Sequence, residues 1–114
     1  MNTSPQFPSD DNGDVLRRMY EGGDDLTQSR IIDYCFVFLD RQRALAFTQA
    51  IDDQDFQVCI SYYKAKKLWQ AIVKNNMVPD HAAISAMEAA LTIKAKTVDG
   101  TADGWGCMQI KRKQ

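Results

Sequence analysis

Two runs of period-two hydrophobicity joined by a short basic turn constrain this chain more than any other feature. Phe56, Val58, Ile60 and Tyr62 alternate with Gln57, Cys59, Ser61 and Tyr63, the pattern of a strand with one buried face. Lys64-Ala65-Lys66-Lys67 turns the chain, and a returning strand runs from Leu68 to about Lys74, with Trp69, Ala71 and Val73 on one face. A lone hairpin is marginal in water, so the flanking segments must cover it.

Those segments are a strand and a helix before the hairpin, and a helix and a strand after it. Arg30 to Leu39 is strand-like, and both its alternate faces are mainly apolar, which predicts a central strand covered on both sides. Asp40 caps a helix to about Asp52, with Ala44, Leu45, Thr48 and Ile51 inward. Pro79-Asp80 opens the longest helix, to about Lys96, striped by Ile84, Met87 and Leu91. Asp99-Gly100 ends it, and Trp105 to Lys111 reads as a last strand. A further helix, Asp11 to Glu21, precedes all of this and stops at Gly22-Gly23.

The order is α, then β-α-β-β-α-β. The expected fold is therefore α+β: a ferredoxin-like α/β plait, with a four-stranded antiparallel sheet and two helices on one face. The extra N-terminal helix is left free to pack on the other face. Residues 1–9 carry two prolines and no periodicity, the mark of a flexible arm. A single domain then spans 10–111, and 112–114 form a basic end.

Charge and composition narrow the class. Hydrophobic residues make up 45% and charged residues 25% of the 114, which excludes a disordered chain or a rod. The longest apolar run, Cys35 to Leu39, is far short of a bilayer span. No signal peptide opens the chain, so the expected location is cytoplasmic, with no membrane partner. The net charge of −1 divides into −6 over residues 1–55 and +5 over 56–114, a dipole unless the fold interleaves the halves.

Catalytic equipment is sparse. The one histidine, His81, stands in the first turn of a helix, and no Cys-x-x-Cys or His-x-x-x-His spacing exists for a metal. Gly104-Trp105-Gly106 is not a phosphate or dinucleotide fingerprint. The acid pairs Asp24-Asp25 and Asp52-Asp53 sit at element junctions, where adjacent carboxylates are ordinarily solvated turn signals. Cys35, Cys59 and Cys107 read as buried, reduced thiols. The chain is expected to be no enzyme and to need neither cofactor nor metal. Strand aromatics Tyr34, Phe36, Tyr62 and Tyr63, with Lys64, Lys66 and Lys67 nearby, offer RNA binding as a minority reading, opposed by a pI near 5.7.

Two segments carry a family resemblance. Asp14-Val15-Leu16 leads into Glu21-Gly22-Gly23-Asp24-Asp25-Leu26 and the strand Ile32–Phe38, and Asp99-Gly100 precedes Asp103-Gly104-Trp105-Gly106. This arrangement resembles the regulator of ribonuclease E activity B (RraB) family, the ribonuclease E inhibitor proteins, over about residues 12–110. The resemblance implies an α/β plait that binds ribonuclease E, restrains RNA cleavage and brings no catalytic residues of its own. The chain departs from the family pattern at Ala102, where a tyrosine is usual, and at Asp99-Gly100, where a glycine pair is usual. Lys111-Arg112-Lys113 replaces an acidic tail, which steers toward a different surface.

The resulting expectation is a non-enzymatic regulator whose protein partner is a ribonuclease. Asp24, Asp25, Asp103, Gly104, Trp105 and Gly106 are its candidate contact residues, on two turns lying near one another. A small RNA- or ligand-binding plait and a toxin-neutralising protein are the alternatives. Trp105 has a competing role as a core plug, with its glycines permitting a tight entrance into the last strand.

Overall fold

Asp10, Asp40 and Asp80 each accept a backbone N–H from the residue three positions on, Gly13, Arg43 and Ala83. These caps start the three helices of the computed structural model, which describes residues 6–51 and 56–113. The elements run α1 (Asp11–Glu21), β1 (Arg30–Phe38), α2 (Arg41–Ala50), β2 (Gln57–Tyr63), β3 (Leu68–Met77), α3 (His81–Lys96) and β4 (Thr101–Cys107). The strands form one antiparallel sheet in the order β2-β3-β1-β4. The chain is thus a mixed α/β domain with a four-stranded antiparallel sheet and three helices.

Strand parity sets the core. Ile32, Tyr34, Phe36 and Phe38 of β1 point to the side on which Ala71 and Val73 of β3 are also buried. Phe47 of α2 packs its ring 5.0 Å from Phe36 and 5.2 Å from Phe38. Ile84, Leu91 and Ala95 of α3 complete the same cluster. Gly100 is required where α3 returns to the sheet, because a Cβ there would fall 2.3 Å from the Phe38 ring.

The opposite sheet face differs from the two-sided cover expected of β1. Ile31 is 47% exposed, and Asp33 and Cys35 are half-buried. Among the described residues no helix lies over them: α1 packs against α3 rather than on this open face. Leu16 of α1 reaches the main core instead. Apolar side chains on both parities of β1 thus mark a central strand between two neighbours, not one covered by two layers.

The last strand also begins earlier than expected, at Thr101. Its pairing with β1 shifts register between Tyr34 and Phe36, and Gly104 adopts φ +96°. The extra residue of a bulge breaks the alternation by which a strand is read from sequence.

Beyond the last strand, residues 109–112 lie against the end of α1. The Asp25 amide donates to Ile110 O at 2.6 Å, and the Arg112 amide donates to Gly23 O at 2.7 Å. The Arg112 guanidinium donates to Tyr20 O at 2.7 Å and sits 4.2 Å from the Tyr20 ring centre. At the other end, Phe7 packs its ring 6.0 Å from the same tyrosine. Residues 1–5 of the expected arm, and the Asp52-Asp53 pair, lie outside the described residues.

Candidate functional site

Asp24 was expected on a surface turn and is instead fully buried, with 0% of its surface exposed. Arg30, at the start of β1 and also buried, donates from Nη1 to Asp24 Oδ2 at 2.8 Å. The same guanidinium donates to Met108 O at 3.0 Å and to Asp25 O at 2.7 Å. The pair therefore ties the turn after α1 to β1 and to the chain leaving β4. The sequence holds a signal for this: Arg30 shares the inward parity of Ile32 and Tyr34, so its charge must meet an acid inside.

Asp25 remains at the surface. Its carboxylate accepts from the Thr27 hydroxyl at 2.6 Å and the Thr27 amide at 3.1 Å. These bonds, the hydroxyl's first, hold its pKa below the usual carboxylate value, so it stays charged in mildly acidic solution.

Trp105 faces the core side, opposite Tyr34 in the β1–β4 register. It is half-buried and packs against the main cluster. Its indole Nε1 donates to Asn12 Oδ1 at 2.8 Å, and Asn12 in turn donates to Ser85 Oγ at 3.1 Å and Glu88 Oε1 at 3.2 Å. One side chain of α1 thereby joins β4 to α3.

Asp103 is exposed and lies 3.4 Å from Lys66 Nζ of the β2–β3 turn. Together with Gly104, Trp105 and Gly106 it borders a shallow groove of about 630 Å³ on the open sheet face. Ile31, Cys35 and Met108 supply apolar floor and rim, while Lys74 meets Asp33 at 3.1 Å within it. Gly104, with its left-handed backbone and open space where a Cβ would project, shapes this margin.

The two expected turns are therefore not one surface. Arg30 is the β1 residue beside Asp24, whereas Trp105 pairs with Tyr34, four residues further along, about 13 Å of strand. Asp103 to Gly106 form a bulged strand rather than a turn.

The aromatics proposed for RNA are divided similarly. Tyr34 and Phe36 are sealed in the helix-side core, and Tyr62 stands edge-on to Trp69 at 5.6 Å. Tyr63 is half-buried beneath Lys66, 5.6 Å from its ring centre. Of these four aromatics only Tyr63 has the parity of the open face, whereas RNA-binding sheets of this kind stack two or three bases on exposed rings. Of the thiols, Cys35 and Cys107 are partly buried, but Cys59 is exposed, against expectation. Its place on β2 faces the open side of the sheet. Among the described residues, no three His, Cys, Asp or Glu side chains converge as metal ligands would. His81 Nε2 lies 2.9 Å from Asp10 Oδ2, an exposed contact joining the starts of α3 and α1. No helix is long and apolar enough to cross a membrane among the described residues.

A small α/β domain of this kind, open on one sheet face, hosts many unrelated activities, and fold alone does not choose among them. Residues 9–107 match the family described as regulator of ribonuclease activity B. The chain belongs to that family, most of its length being covered. No curated protein matches it significantly.

Proposed function

We propose that the protein is a non-enzymatic regulator that restrains a ribonuclease, of the ribonuclease E kind, by direct surface contact. The family match over residues 9–107 carries this reading. The open-face groove supports it, because its apolar floor and charged margin offer what an interface uses: a desolvated centre and a polar rim. Asp103 and, at a separate place, Asp25 are the acids available to a basic surface such as an RNA-cleaving enzyme presents. Trp105, Gly104 and Gly106 shape the groove's edge, and Asp24 holds the neighbouring turn from inside.

The order β2-β3-β1-β4, with α2 and α3 in one core cluster, supports a ferredoxin-like plait to which α1 has been added. A bacterial cytoplasm is the compartment such a regulator would share with its target.

The experiment is a cleavage assay with purified ribonuclease E and a fixed RNA. Slowing that saturates with the protein-to-enzyme ratio, and that weakens on Asp103→Lys, supports the proposal. Slowing that tracks the protein-to-RNA ratio assigns the effect to RNA binding, and no slowing at saturating protein refutes regulation of this enzyme.

A further inference from the structure

The two edges of the sheet are unequally protected. β4 carries Asp103, a register shift and a left-handed glycine, all of which discourage another strand from adding to it. β2 has none of these. Gln57–Tyr63 contains no charged residue, no proline and no glycine, and it pairs with β3 in unbroken register. Among the described residues no segment pairs with its outer edge. Tyr62 is 51% exposed there.

We infer that the β2 edge is a self-association surface, on which a second copy of this chain adds its own β2 antiparallel to form a continuous eight-stranded sheet. This inference is independent of the ribonuclease reading. The register that pairs the whole strand is centred on Ile60. It sets Ile60 against Ile60 of the second copy and Val58 against its Tyr62, both on the helix side. It sets Cys59 against Ser61 of the second copy on the open side. β-Branched residues opposite aromatics are favourable cross-strand pairs, and no like charges meet. Charge order in the sequence favours the same arrangement. In sequence order the chain reaches β2 from an acidic stretch, Asp52, Asp53 and Asp55, and leaves it through Lys64, so an antiparallel copy brings unlike charge to each end of the pair and a parallel one brings like to like. The twofold arrangement is closed, which stops growth at a dimer.

The test is sedimentation of the reduced full chain across a concentration series, with a short bis-maleimide cross-linker as reporter. In the inferred register the two Cys59 residues are diagonal neighbours, about 7–8 Å apart, too far for an unstrained disulfide and within reach of the linker. The expected result is a mass rising with concentration from 12.9 kDa to twice that, and a cross-link that Cys59→Ser removes while the dimer remains. Ser61→Lys, at an exposed position, should keep the melting temperature and lose both dimer and cross-link. Should that variant fold poorly, the wild-type cross-link decides. A monomer at every soluble concentration overturns the inference, as does a dimer that Ser61→Lys leaves intact and Cys59 does not cross-link. A monomer whose β2 edge instead captures a ribonuclease fragment also overturns it.

Discussion

The indole N–H of Trp105 and the side-chain oxygen of Asn12 meet at 2.8 Å, ninety-three residues apart in the chain. The contact makes Trp105 part of the frame that holds α1 in place. Trp105→Phe keeps most of the packing and leaves the Asn12 oxygen without this donor, an expected loss of about 1 kcal/mol. Trp105→Ala also removes the half-buried ring, for an expected loss of about 3 kcal/mol. Urea denaturation of both variants, compared with Asn12→Ala, measures this. Equal stabilities for wild type and Trp105→Ala would return Trp105 to a purely surface role.

The buried ion pair predicts strong coupling. Asp24→Ala leaves the Arg30 guanidinium buried with one bond fewer, and Arg30→Ala strands the carboxylate. Each is expected to lose about 3–5 kcal/mol. The double variant should lose clearly less than the sum, since neither leaves an unpaired charge behind. Additive losses in a double-mutant cycle would show that the two side chains do not act together.

Thiol reactivity should split into two classes. Burial raises the pKa of Cys35 and of Cys107, so less thiolate is present at neutral pH. Cys59 is exposed. A chromogenic disulfide reagent is expected to show one fast equivalent and two slow ones, with the fast phase absent in Cys59→Ser. Three equal rates would contradict the burial of the other two.

Tyr34 gives an alkaline signature. Its fully buried ring, whose hydroxyl donates to Met77 Sδ at 3.1 Å, has its pKa pushed up to about 12 from 10.0, mainly by desolvation. A folded pKa above the unfolded one means that stability is complete below pH 10 and declines as pH rises through about 12, because the unfolded chain releases the proton first. Melting temperatures across that window should fall more steeply for wild type than for Tyr34→Phe. Parallel curves would place the alkaline loss elsewhere.

What the sequence made legible follows from which patterns were local. The Asp40 cap, the Pro79-Asp80 helix start and the extents of α1 and α3 depend on neighbours within a turn, and residue type alone marks them. The hairpin was readable because β2 and β3 pair without a bulge. The start of β4 was hidden because Gly104 and the register shift erase its alternation. Asp24 read as solvated because its partner lies on the next strand, and acids near a glycine pair look alike whether water or Arg30 receives them. The expectation that Asp24 and Trp105 share a surface failed for a geometric reason: both dock beside β1, but at places a half-strand apart. Cys59 looked buried because its neighbours Val58 and Ile60 are apolar and pack against the core, although in a strand those neighbours point the other way.

The strap formed by residues 109–112 bears on how the chain matures during synthesis. Arg112 donates to the Asp24 carbonyl across 88 residues, and α1 packs on α3 rather than on the sheet. A helix that precedes the whole sheet in the sequence is thus held by segments that follow it. A nascent chain halted before α3 has emerged can pair the β2–β3 hairpin but lacks the α3 and strap contacts that hold α1, so a helix made before the sheet is secured only after it.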